Sequence, residues 1–166
     1  MVYYPPILLN IFSQLLSSRQ PEMSLTTLSK SVLVLHSAEK MFDLVDKVED
    51  YPQFLPWYGR TEIIERQENE LKARLYMDYM GVQQSFATHN HNRYPHEIKM
   101  DLLEGPFKSL QGTWQFTPLG ENECQITFTL HYELIGLLAR LISPVFSSVT
   151  NKLVQAFVDE ANKRYG

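Results

Sequence analysis

Between Arg60 and Tyr132 apolar and polar residues alternate with period two in run after run, the pattern of strands with one buried face. Leu71, Ala73, Leu75, Met77 and Tyr79 share one face of such a run, with Lys72, Arg74, Tyr76 and Asp78 on the other. The same alternation predicts strands over 60–66, 71–79, 82–90, 98–102, 110–116 and 124–132. Turn residues separate them: Gln67-Glu68-Asn69, Gly81, Asn92 to Pro95, Gly105-Pro106 and Pro118 to Asn122. An earlier short β-branched stretch, Ser31 to His36, adds a seventh strand. One apolar and one polar face throughout predicts an antiparallel meander with a single wet side.

Helical patterns flank the meander. Ser37 is placed as an N-cap ahead of the apolar face Met41, Phe42, Leu44 and Val45. Asp50-Tyr51-Pro52 ends that helix, and a second short turn is expected around Gln53 to Leu55. After the last strand, Leu138, Leu141, Ile142, Val145, Phe146, Val149, Leu153, Phe157 and Ala161 recur at three- and four-residue steps. They predict one long helix, with Pro144 kinking it or marking its effective start. The order strand, helices, six strands, long helix is an α+β layout. The long helix is the obvious cover for the apolar sheet face, and a curved sheet under one helix leaves room for a cavity. Its expected lining is Leu75, Met77, Phe86, Met100, Leu102, Trp114, Phe116, Phe128 and Leu130 from the sheet, with Val149, Leu153 and Phe157 from the helix. Asp50 to Trp57 is too broken for a long helix and too apolar for a free loop. Pro52, Phe54, Leu55, Pro56 and Trp57 are therefore expected at the cavity entrance, as a gate or as a structural plug.

The chain has 166 residues, 44% hydrophobic and 20% charged, which describes a folded globule of one-domain size. Its net charge of −4 argues against DNA binding by bulk electrostatics, which needs clustered Lys and Arg. The predicted long helix is a local exception, with a net +2 from Arg140, Lys152, Asp159, Glu160, Lys163 and Arg164. A single cysteine, Cys124, excludes an internal disulfide framework and falls on an inward face as a small hydrophobe. No apolar run is long enough to cross a membrane.

Residues 1–22 stand apart from the domain over 23–166. Leu8, Ile11, Phe12 and Leu15 fall on one helical face of this extension. Three readings stay open: a short amphipathic helix on a bilayer, a segment packed on the domain, or an over-long extension with Met23 as the true start. It lacks the basic region and cleavage site of a secretory signal.

Chemistry-bearing motifs are sparse. There is no Gly-rich phosphate loop and no nucleophile elbow. His89 and His91 share a strand face with His96 close behind, but the sequence offers no evident third ligand, so no metal is expected. Glu104 and Lys108 flank Gly105-Pro106 as a charge pair near a rim. The expected cavity wall carries no paired acid and base, so an enzyme is not expected.

Three stretches carry a resemblance: Asp50-Tyr-Pro-Gln-Phe-Leu-Pro-Trp57, the run Leu102 to Phe116 with its Glu-Gly-Pro-Phe turn, and Pro144 to Phe157. Together they resemble the coenzyme Q-binding branch of the START-like superfamily, which includes the bacterial ribosome-association toxin and carries polyketide cyclase/dehydrase-like labels. The resemblance implies a helix-grip (START/Bet v 1-like) fold, a seven-stranded antiparallel sheet wrapped around a C-terminal helix with a hydrophobic cavity. It implies non-enzymatic binding of an isoprenoid, foremost ubiquinone, in support of respiration or quinone biosynthesis, with no required cofactor. The alternative it implies is a toxin-like protein engaging a ribosomal subunit; a polyketide cyclase-like enzyme ranks third. Either leading role is cytoplasmic, the first with peripheral contact at the inner face of the membrane. One departure stands out: Tyr58 occupies a position where the family often has Cys, which disfavours a thiol role and narrows the cavity entrance.

Overall fold

The computed structural model describes residues 25–166, so the three readings of the N-terminal extension lie outside the described residues. The expected meander forms as one seven-stranded antiparallel sheet, in the order β1-β7-β6-β5-β4-β3-β2. The strands are β1 (Thr26–Val34), β2 (Tyr58–Gln67), β3 (Glu70–Tyr79), β4 (Val82–Arg93), β5 (Glu97–Glu104), β6 (Phe107–Gly120) and β7 (Glu123–Leu134). Between β1 and β2 come α1 (Ala38–Asp46), a single 3-10 turn and α2 (Tyr51–Phe54); α3 (Leu138–Tyr165) closes the chain. This is the helix-grip fold. Among the described residues no helix is long and apolar enough to cross a membrane.

The two strands that depart most from the sequence pattern, β1 and β6, do so for physical reasons. β1 begins earlier than Ser31 and ends at Val34, because its length is set by pairing with β7 from Thr26↔Tyr132 to Val34↔Cys124. As an edge strand it buries little of itself, and its alternation is correspondingly hard to read. β6 runs through Pro118 to Gly120, where a loop was expected. A register shift between Pro118 and Gly120 accommodates the proline at a bulge, where a missing N–H is tolerated.

Turn chemistry fixes the hairpins. Met80 and Gly81 both adopt positive φ, 52° and 78°, the requirement of a two-residue turn matched to strand twist. Gly105 has φ +151°, and a Cβ there would lie 2.6 Å from Phe86 Cβ. Only glycine lets the β5–β6 turn pass that close to β4. Ser37 caps α1 as expected, accepting from the Lys40 N–H at 3.3 Å. α3 already runs from Leu138, so Pro144 sits inside it and does not mark its start.

The core lies between the sheet and α3, with α1 closing one side. Trp114, Phe116, Phe128 and Phe157 are all buried. The Trp114 ring sits 4.4 Å from Phe128 and 5.1 Å from Phe157, so helix and sheet meet through aromatic edges. Phe42 of α1 meets Phe116 at 5.7 Å. Buried His36 shares a hydrogen bond with Asn162 Oδ1 at 2.8 Å, tying the β1–α1 connection to the end of α3.

Candidate functional site

An enclosed space lies between the sheet and α3. Leu75, Phe86, Met100, Trp114, Phe128, Leu130, Leu153 and Phe157 border it. The other four expected lining residues do not. Met77 is buried beside Tyr58, its cross-strand partner; Phe116 packs toward α1; Val149 is buried elsewhere along α3; Leu102 is half-buried at the core's margin. Alternation identifies the inward face of a strand, but not which stretch of that face α3 covers tightly.

Six further residues complete the wall: Tyr51, Tyr58, Thr88, Leu110, Phe146 and Thr150. Phe146, Thr150, Leu153 and Phe157 form one stripe at three- and four-residue steps, so the helical contribution was readable once Thr150 was allowed on it. Leu110 already lay in the alternating run. Tyr58 was marked only by the family resemblance, which set it at the entrance; the alternation passed over it, because it opens β2 directly after the broken segment.

Among the described residues the lining contains no carboxylate, imidazole, ammonium or thiol, so that part of the wall supplies no strong general acid or base. Its polar atoms are mostly engaged. Thr88 Oγ1 donates to Asn90 Oδ1 at 2.9 Å, Thr150 Oγ1 donates to the Phe146 carbonyl at 3.0 Å, and the Tyr51 hydroxyl donates to the Val45 carbonyl. Tyr58 differs. Burial alone pushes its hydroxyl well above the usual phenol range, with no hydrogen bond or charge contributing. The space open to a water-sized molecule is about 60 Å³, against roughly 300–1,000 Å³ for pockets that enclose a drug-sized ligand. In this closed form it is a packed aromatic seam, and a large ligand needs α3 and the sheet to part.

The expected entrance residues sit beside this space without bordering it. Leu55 and Trp57 are fully in the core, Pro52 and Pro56 are exposed, and Phe54 is half-buried. The α2 turn is short and closes with the Leu55 N–H on the Tyr51 carbonyl at 2.8 Å. It therefore presents Tyr51, not the prolines, to the cavity. Phe54 reaches the wall at second hand, through its 5.3 Å contact with Phe157.

Asp50, which opens this segment, receives the Arg164 guanidinium at 2.9 Å. That hydrogen bond, with Lys47 assisting, holds its carboxyl below the ordinary value of 3.8. A depressed folded value means that the contribution is complete above the unfolded value and is lost as pH falls through the folded one. Asp50→Asn is thus expected to flatten the acid limb of stability below about pH 4, by less than about 1 kcal/mol for so accessible a pair. Urea midpoints at pH 3 and pH 6 check this.

Three smaller expectations are revised or sharpened. Glu104 and Lys108 do not pair: Arg74 takes Glu104 at 2.8 Å and Glu133 takes Lys108 at 3.2 Å, because side chains facing across strands outcompete those flanking a turn. Cys124 is buried, and burial pushes its thiol up to about 11, which leaves it inert. A third side chain with a potential ligand atom does come close to His89 and His91. Glu70, brought across from β3, lies 3.0 Å from His89 Nε2.

A sequence model of the family described as polyketide cyclase / dehydrase and lipid transport matches residues 34–158. The chain belongs to this family. It is 37% identical to the ribosome association toxin RatA of Pseudomonas aeruginosa, over 85% of this chain and 99% of that protein. It is 28% identical to the mitochondrial coenzyme Q-binding protein COQ10 homolog B of Xenopus laevis, over 95% of this chain and 65% of that protein. Among solved structures, the Zhui aromatase/cyclase of Streptomyces sp. R1128 superposes with a TM-score of 0.76 at 18% identity, covering 86% of this chain and 97% of that one. This last likeness is one of fold.

Proposed function

We propose that this family member binds a hydrophobic isoprenoid, ubiquinone foremost, between sheet and α3 without transforming it, in support of respiration or quinone biosynthesis. The observation that carries the reading is the wall: mostly aromatic and aliphatic, lacking a strong acid or base among the described residues, with the Tyr58 phenol on it. A quinone carbonyl is the acceptor such a buried hydroxyl needs. Burying one five-carbon prenyl unit yields about 4 kcal/mol, which helps offset the cost of opening the closed seam. The likeness to a coenzyme Q-binding protein supports the same ligand. The proposed setting is cytoplasmic, with the protein touching the inner face of the membrane to exchange its cargo.

Native mass spectrometry after gentle purification is expected to find about one quinone per chain. Tyr58→Phe is expected to lose most of that quinone while its folding free energy stays within about 1 kcal/mol of the parent, since the ring is kept and a single hydroxyl is removed. Equal retention by parent and variant would remove Tyr58 from the site.

A second reading rests on the 37% identity to ribosome association toxins across nearly their whole length. Under it the chain engages a ribosomal subunit, with the +2 charge of α3 as the local basic feature. Sedimentation of ribosomes with added protein separates the two: accumulation of free subunits by a quinone-free preparation favours this reading.

A further inference from the structure

On β4, Thr88 and Asn90 are buried, so His89 and His91 leave the sheet on its outer face, behind the cavity wall. The register brings two carboxylates to them. Glu70 on β3 is directly opposite His91, and Asp101 on β5 is directly opposite His89. Glu70 Oε2 lies 3.0 Å from His89 Nε2 and Glu70 Oε1 lies 3.7 Å from His91 Nδ1. The two imidazole rings are 4.1 Å apart.

We propose that Glu70, His89 and His91 form a binding site for a zinc-class divalent cation. One ligand atom from each lies within 4.8 Å of the other two. A tetrahedral ion with ligands at about 2.0–2.2 Å places them roughly 3.3 Å apart, so the set needs only a small contraction of part-exposed side chains. Two imidazoles with one carboxylate select zinc, copper or nickel over calcium and magnesium, which prefer all-oxygen sets. Three protein ligands leave a fourth position for water.

The surroundings fit a ligand role as well. With Nδ1 of His91 turned to the ion, its Nε2 faces Asp101 Oδ2 at 3.8 Å, the carboxylate–imidazole arrangement that orients metal-bound histidines. Gln111 donates to Asp101 Oδ1 at 2.9 Å and so fixes that carboxylate. Lys72, the cross-strand neighbour of His89, is held by Glu65 at 2.7 Å, which draws its charge toward Glu65. A bound ion would tie β3 to β4. The site is on the opposite face of the sheet from the cavity and stands independently of the quinone reading.

The test is calorimetric titration of zinc chloride into the full chain, freed of any histidine tag, with circular dichroism confirming that each variant is folded. One zinc per chain is expected. Affinity should fall about tenfold or more in His89→Ala, His91→Ala and Glu70→Gln, and be unchanged in His131→Ala. Asp101→Asn should weaken it by about tenfold, as loss of an orienting partner does. Saturating zinc should also raise the thermal midpoint of the parent, and not of His89→Ala. No saturable binding, or binding that His89→Ala and Glu70→Gln leave intact, overturns the proposal.

Discussion

Trp114→Ala is expected to cost about 3–5 kcal/mol of folding free energy, the upper range for truncation of a buried aromatic. Trp114 is 2% exposed and stands where β6, β7 and α3 converge, against Phe116, Phe128 and Phe157. It also borders the enclosed space, so truncation would enlarge a void that already exists. A sheet held by ladders on both sides of β6 has little freedom to collapse into that void. The indole also supplies edge-to-face geometry that area alone does not count. Denaturant midpoints at constant slope measure the loss. A cost under about 1.5 kcal/mol would mean that α3 settles inward freely and that the seam is softer than its packing suggests. That result would also lower the energy needed to open it for a ligand.

What the sequence made legible follows the physics of each element. The β3 face Leu71, Ala73, Leu75, Met77 was readable because a sheet with one wet side stamps its period on the chain. The α3 stripe was readable for the corresponding reason, its three- and four-residue period. The β1 boundaries were not, since an edge strand takes its limits from pairing with β7, a hundred residues away in places. The cavity wall was half legible. Inward-facing residues such as Phe116 and Val149 share the pattern of Trp114 and Leu153, and only the path of α3 decides which of them meets open space. Tyr58, marked beforehand only by the family resemblance, and Glu70 were hidden from the alternation for another reason. One joins the wall through the turn before it, and the other meets its histidines through the β3–β4 register; neither relation has a local signature. The same lack of sequence locality made Glu104 and Lys108 look like partners when each finds its opposite charge across a strand.

Trp57→Ala should separate a plug from a gate in the segment that follows α1. Trp57 is 4% exposed and packs on Tyr58 and Tyr79 at 6.4 and 6.3 Å, and it does not border the cavity. Truncation is therefore expected to cost about 3–5 kcal/mol, while quinone retained per folded molecule stays at the parental level. Its indole Nε1 is buried without a partner among the described residues, and burying such a donor costs about 1–3 kcal/mol. Trp57→Phe removes that donor and keeps most of the ring, so it should be far milder than Trp57→Ala, close to neutral. Tyr58→Phe, one residue on, is expected to show the opposite behaviour: stability held, retention lost. Phe54→Ala lies between them, because Phe54 touches the cavity-lining Phe157. Denaturant midpoint and quinone retention on the four variants give the answer. Retention falling further than the folded fraction in Trp57→Ala would make the segment a gate, and the path of the ligand would then run under Leu55 and Trp57.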